Sequence, residues 1–228
     1  MSAAEASGSG STGSATAAGG TAKSTALRVL GRNTSSNVQK VVWCLVELGL
    51  EYERENYGGA FAGNDQPAYL ELNPNGLVPT LIDADVVVWE SNTITRYLCN
   101  RCAPTPLYPL DPAERSNVER WMDWQLSRIG EVFGPMYRAL IREQRTAADV
   151  EPLRVKAAQL MSMLDSTLSS RSYLAGPGLT LADITLGPFA YRWFELPIAR
   201  PGLPALRRWY EALQSRPAYR EHVMVPMQ

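Results

Sequence analysis

The sequence predicts an α/β domain followed by an all-α domain, and two observations carry the expectation. Residues 26–102 alternate short strand-like apolar runs with stretches of 3.6-residue periodicity, whereas the chain after residue 112 has helical spacing only. Between the two regions lies a break, 103–112, in which four of ten residues are proline, the composition of a stiff linker.

Residues 27–31 form an apolar run too brief for a helix and suited to a buried strand. Over 36–48, Val38, Val41, Val42, Leu45, Val46 and Leu48 recur at helical spacing, and Gly49 ends the helix. A strand follows over 50–55, then a Gly-rich loop over 57–63, a short helix over 67–72 and the turn Asn73-Pro-Asn-Gly76. Residues 78–82 and 86–89 read as strands joined by Asp83-Ala-Asp85, a hairpin-type connection, and Ser91 opens a third helix. The order gives one βαβ unit completed by a hairpin and a helix. Helical spacing returns over 113–145, 149–169, 181–195 and 203–214, bounded by Gly176-Pro-Gly178, Pro197 and Pro201-Gly202. The expected organisation is a leader at 1–25, an α/β domain at 26–102, the linker at 103–112 and a helical domain at 113–228.

Composition excludes several functions. Of the first 25 residues 22 are Ala, Ser, Gly or Thr, with no Leu, Ile, Val or aromatic residue. That stretch is expected to be a disordered leader and has no apolar segment for a secretory signal. No window approaches the roughly 18 apolar residues of a membrane span. The net charge is -1, from 22 basic and 23 acidic residues spread along the chain, so no basic stripe offers itself to nucleic acid. Three cysteines make no complete disulfide framework and suit a reducing cytoplasm. Cys99-Asn-Arg-Cys102 spells CxxC but closes a helix, where the dipole disfavours thiolate. A zinc site would need two more ligands, and the one histidine is His222. No metal is expected, and His222 reads as an ordinary residue.

Three local features can carry chemistry. Asn33-Thr-Ser35-Ser-Asn37 lies between the first strand and the first helix. Capping accounts for these residues on local grounds; the same free amides and positive dipole end also stabilise a bound anion. Gly76-Leu-Val78-Pro79-Thr80 puts a proline at the head of a strand, which marks an edge or a special backbone geometry. Glu90-Ser91 joins strand to helix. There Ser91 reads as a cap and Glu90 as a solvated acid, or the pair holds an amino-acid head group, Ser91 on the carboxylate and Glu90 on the ammonium. All three features fall at element ends of one small α/β unit, where ligands of such sheets bind.

With these motifs in this order, and Thr180-Leu-Ala-Asp183 adding a capping box in the helical region, the sequence resembles the cytosolic glutathione transferases. The likeness is to bacterial members of the serine or cysteine type (theta-, beta- or nu-like), and it covers nearly all of 26–228. It implies a thioredoxin-like N-terminal domain, an all-helical C-terminal domain and a homodimer. It further implies that glutathione is co-substrate, that Val78 pairs its main chain with the cysteinyl part and that Pro79 is cis. Glu90 and Ser91 would hold the γ-glutamyl amino and carboxylate groups. Ser35 occupies the position that donates a hydrogen bond to the sulfur, and Asn37, two residues on, takes that task in some relatives; both are named. Asp123 stands where some relatives reach across the dimer to the neighbour's γ-glutamyl amine.

Two departures stand out. Leu77 replaces the Lys or Arg that meets the glycyl carboxylate in many relatives. The tyrosine used by other classes is absent, Leu30 and Gly31 occupying its neighbourhood. Phe133, Met136 and Tyr137, with Trp193 and Phe194, are the residues offered for an apolar electrophile cleft; packing in the core accounts for them equally. The expected activity is attack of glutathione thiolate on a small apolar electrophile, a cytoplasmic detoxification. Glutathione-dependent disulfide reduction and a non-catalytic interaction module are the alternatives.

Overall fold

The structure, a computed structural model, describes residues 27–227; the leader expected at 1–25 lies outside them. Its sheet grows from β1 (Leu27–Leu30), whose Leu27, Val29 and Leu30 are buried while Arg28 points outward to Glu55. β1 pairs in parallel with β2 (Tyr52–Glu55) through the crossover helix α1 (Ser36–Glu47). On its other side β1 pairs antiparallel with β3 (Thr80–Asp83), which pairs antiparallel with β4 (Val86–Trp89), giving the order β2-β1-β3-β4. Between β2 and β3 lies the short helix α2 (Pro67–Leu70), and α3 (Ser91–Arg101) follows β4. The βαβ unit and hairpin stand as the sequence implies. β3, however, starts two residues later than the apolar run suggests, because the ladder begins only after Pro79, which has no N–H to donate.

The helical part contains α4 (Pro112–Trp124), α5 (Gly130–Tyr137), α6 (Glu151–Leu168), α7 (Leu181–Glu195), α8 (Pro204–Gln214) and α9 (Pro217–His222). Asp111 caps α4, its carboxylate accepting from the Ala113 and Glu114 amides. The single helix expected over 113–145 is interrupted by two π-turns, Gln125–Ile129 and Arg138–Arg142. The first widens the rod at Gln125 and leaves that amide side chain buried. The helix α9 has no sequence expectation to match, because so short a segment shows no full period, although Pro217 stands at the first turn, where proline is favoured. Among the described residues no helix is long and apolar enough to cross a membrane.

One wall of α1 joins the sheet unit to the helices. Trp43 is fully buried, edge-on to Tyr219 at 4.8 Å. A Cβ on Gly187 of α7 would stand 2.5 Å from the Trp43 ring, so only glycine lets the helices approach this closely. Tyr219 donates to the Gly187 carbonyl at 2.8 Å, and Glu47 accepts from Trp43 Nε1 and pairs with Arg216. Burying Trp43 contributes on the order of 3 kcal/mol.

Asp183 anchors the helical part. Its carboxylate accepts from the Thr180 amide and hydroxyl, completing the capping box, and from the Leu174 amide and Trp209 Nε1 at 2.9 Å each. Burial pushes this acid up to about 6 although every one of those donors pulls it down. Asp183→Ala removes a cap and strands buried donors, so a loss of about 3 kcal/mol is expected in urea unfolding; an unchanged midpoint would contradict this role.

Candidate functional site

A single rung of the sheet assembles the site. Leu30 pairs with Thr80, and Thr80 with Trp89, so the end of β1, the start of β3 and the end of β4 lie side by side across roughly 10 Å. The segment leading to Ser35, the Val78-Pro79 pair and the Glu90-Ser91 pair all leave the sheet from this one edge. Gly31 tightens the junction. A Cβ there would stand 2.5 Å from Val38 and 3.1 Å from Val78, which brings the backbone leading to Ser35 directly against the Val78 side chain.

Ser35 is the N-cap residue of α1, with extended backbone angles, yet its hydroxyl makes no capping bond. The capping reading therefore fails here. The Ser35 hydroxyl, nearly buried, has no partner among the described residues, and the first-turn amides of α1 beside it are the orphans of any helix start. Asn37 is exposed one turn-edge further on. The loop before Ser35 is pinned: Gln39 Nε2 donates to the Asn33 carbonyl at 2.9 Å, and Arg192 of α7 donates to the Thr34 carbonyl at 3.4 Å.

Val78-Pro79 is a cis peptide bond. The Val78 N–H and C=O have no partner among the described residues, since the β3 ladder starts at Thr80. The preceding turn is fixed by Tyr69 and Asn73, which both donate to the Leu77 carbonyl, at 2.7 and 2.8 Å, and both reach Thr80 Oγ1. The Leu77 side chain is 63% exposed. No Lys, Arg or His occurs anywhere in 56–77, so that loop brings no cation to the site.

At α3 the capping expectation also changes. Glu90 is the N-cap residue, in the left-handed region at φ 69°, without a side-chain cap, and its carboxylate is exposed. Such a conformation for a glutamate costs of order 1 kcal/mol and is characteristic of functional positions. Ser91 is the first helical residue, and its hydroxyl is approached from behind by Lys40 of α1 at 3.4 Å. That lysine, fully buried, also donates to Asn92 Oδ1 at 3.3 Å and to Gln125 Oε1 at 2.6 Å. Asn92 Nδ2 in turn donates to the Met122 carbonyl. Burial lowers Lys40 to about 7; Glu90 opposes the shift and Arg192 adds to it. Lys40, Asn92 and Gln125 were missed by sequence reasoning, although one lysine amid the apolar run 38–45 was the available signal.

Other expected residues fall elsewhere. Asp123 is exposed on α4 and ion-paired with Arg96 at 2.9 Å. Phe133 and Met136 are fully buried, Phe133 edge-on to Phe189 and Trp193, which places them in the core. Trp193 is buried too, and Phe194 stacks on Tyr210 beneath Arg207. Tyr137 lies 4.1 Å under the Arg192 guanidinium, near the Ser35 loop. Cys99 is buried and Cys102 half-buried, both free. No cluster of three or more His, Cys, Asp or Glu side chains that could hold a metal occurs among the described residues.

Known proteins are similar to this chain. The family model described as Glutathione S-transferase, N-terminal domain, matches residues 34–101, and that described as Glutathione S-transferase, C-terminal domain, matches 127–217. The chain is 37% identical over 202 residues to glutathione S-transferase GstB of Escherichia coli K12, covering 86% of this chain and 97% of that one. It is 31% identical over 208 residues to glutathione S-transferase 3 of Zea mays, covering 86% and 93%. A theta class glutathione S-transferase of Xanthomonas axonopodis pv. citri, solved with glutathione bound, superposes with a TM-score of 0.85 at 45% identity, over 89% of this chain and 99% of that one.

The Lys40 amine is open to direct measurement, because the chain has three lysines, Lys23, Lys40 and Lys156. In a spectrum of protein labelled at the lysine ε-carbons, one signal should titrate near pH 7 and vanish in Lys40→Met. Three signals all titrating above pH 9 would contradict the burial argument. Unfolded lysine titrates near ~10.4. Between about pH 7 and that value the unfolded chain holds a proton that the folded chain lacks, so this group makes stability rise with pH across that window.

Proposed function

From the premise that the chain belongs to the glutathione S-transferase family and is a transferase, we propose that it ionises the glutathione thiol at the N-terminus of α1 and delivers it to a small electrophile. The observation that carries this reading is the Ser35 hydroxyl, nearly buried and unbonded at a helix start whose own amides are free. Ser35 donates to the sulfur. Asn37, exposed at the same turn, is the second candidate for that bond and assists from the solvent side.

The rest of the tripeptide follows from the sheet edge. The free N–H and C=O of Val78, held out by Pro79, pair with the cysteinyl main chain in the manner of an added strand. Ser91 and the first-turn amides of α3 take the γ-glutamyl carboxylate, and Glu90 takes its ammonium. Lys40 acts through Ser91: by bonding the hydroxyl oxygen it turns the hydroxyl proton toward the ligand, and its charge adds to the attraction. A carboxylate arriving there favours the ammonium form of Lys40, offsetting the desolvation that lowers it.

The magnitudes are sufficient. A glutathione thiol resembles free cysteine at ~8.5, so only a few per cent is thiolate at pH 7. Lowering it by ~2 units needs about 2.7 kcal/mol at 1.36 kcal/mol per unit. A hydroxyl bond to an anion supplies about 1.5–3 kcal/mol and the helix terminus roughly 0.3–1 more. No general base is required. The thiolate then forms a C–S bond with the electrophile, and the leaving group departs with its electron pair; held beside the sulfur near Tyr137, the electrophile reacts by proximity.

We assign the same family arrangement to the assembly, a cytoplasmic homodimer in which Asp123 contributes to the partner's site. Exposed Val86, Val87 and Trp89 on the edge strand β4 and exposed Leu126 on the first π-turn support that face as the contact.

Ser35→Ala is expected to lower kcat/KM for an aryl halide by about 10- to 100-fold, the worth of one charge-assisted bond. Asn37→Ala should cost less, and the double variant should exceed either. An unchanged rate in Ser35→Ala would remove that residue from the mechanism.

A further inference from the structure

Three arginines crowd the site without an ion-paired acid among the described residues. Arg32 leaves β1 three residues before Ser35, and its half-buried guanidinium lies over Gly58 and Gly59 beside Val78; a Cβ on Gly59 would stand 2.9 Å from Arg32 Nε. Arg192 of α7 is buried, bonded to the Thr34 carbonyl next to Ser35, with its guanidinium 4.1 Å from the Tyr137 ring centre. Arg142, exposed on the second π-turn, places its guanidinium 5.9 Å from the same ring. Six other arginines have carboxylate partners: Arg28, Arg96, Arg101, Arg145, Arg154 and Arg216. None of these three has an ion pair among the described residues.

The charges near them make this costly. After burial itself, Arg142 is what most disfavours charge on Arg32, and Arg142 and Arg32 both disfavour it on Arg192, which falls to about 10; Tyr137 opposes the shift in both. Stacking on Tyr137 and the bond to Thr34 account for Arg192 alone. They leave unexplained why a second, exposed guanidinium, that of Arg142, lies over the same ring and why a third, the half-buried Arg32, lies against Gly58 and Gly59 on the Val78 side of the Ser35 loop. Gathered cations with no counter-charge among the described residues offer a place for an anion.

We propose that the electrophile taken by this site carries a carboxylate, gripped by Arg32 and Arg142, with Arg192 as the buried charge behind Tyr137. The proposal rests on the reading that glutathione thiolate forms at Ser35. It replaces the wholly apolar electrophile that the sequence suggests with one having a reactive carbon at one end and an anion at the other. A guanidinium fork matches a carboxylate in two parallel bonds. The carboxylate is unchanged in the reaction: sulfur bonds to the carbon, and a halide leaves with the electron pair.

The test compares 4-chloro-3-nitrobenzoate with 4-chloro-3-nitrobenzamide, alike in size and leaving group, each rate divided by its rate with glutathione in buffer. The intact protein should prefer the benzoate in kcat/KM by about tenfold or more. In Arg142→Gln and in Arg32→Gln that preference should fall by about tenfold, and Arg142→Lys should recover part of it. Equal enhancement of both compounds overturns the proposal while leaving the transferase reading intact. So does an Arg32→Gln variant that weakens glutathione itself and keeps the preference, since Arg32 would then serve the glycyl carboxylate. Should neither compound be conjugated faster than in buffer, the reading of Ser35 fails, and calorimetry decides the anion site separately. Tighter binding of 3-nitrobenzoate than of 3-nitrobenzamide, lost in Arg142→Gln, supports it; equal binding overturns it.

Discussion

The site exists because of the register of one rung, Leu30 with Thr80 with Trp89. Each of those residues is the last or first of its strand, so three connections leave the sheet at one edge. Slipping any strand by one residue would exchange its buried and exposed faces and withdraw its loop from the group. Register is therefore held by the core: Val29 and Leu81 face the same interior as α1 and α3, and neither has room to turn outward. Function here is a consequence of packing the sheet in the one way that buries it.

Behind that edge lies a second constraint, the Lys40 ammonium. It is bonded at once to Ser91, Asn92 and Gln125, and so to α3 and to the π-turn of the long helix. Burying such a group costs several kcal/mol unless it is bonded throughout, and here three acceptors converge on it. The π-turn explains how: the local widening at Gln125–Ile129 sets Gln125 inward to face the amine. The two parts of the chain are thus joined by a polar contact behind Ser91 and by the Trp43, Tyr219 and Gly187 contact at the far end of α1.

Much of this was legible in the sequence. The strand and helix order follows from periodicity, and the three motifs mark the loops because Gly, Pro, Ser and Asn are needed where strands turn into helices. The exact use of those residues was not legible. Ser35 stands at a helix start without capping it, and Ser91 is the first helical residue with Glu90 before it at positive φ. Whether a hydroxyl folds back on its own amides or faces outward is decided by neighbours distant in sequence, such as Lys40 behind Ser91. Likewise Phe133 and Met136 share helical spacing with Tyr137, but which of them borders the Ser35 loop depends on α7. The arginine group draws on residues 32, 142 and 192, which no local pattern connects.

Glutathione is chemically idle at neutral pH until its sulfur loses a proton, and the account turns on whether helix-end amides and one hydroxyl achieve this without a base. Ultraviolet absorbance of the thiolate, followed against pH with glutathione bound, measures it directly. The account predicts a midpoint at least about one unit below the ~8.5 of a free thiol. A midpoint equal to that of glutathione in buffer would contradict it.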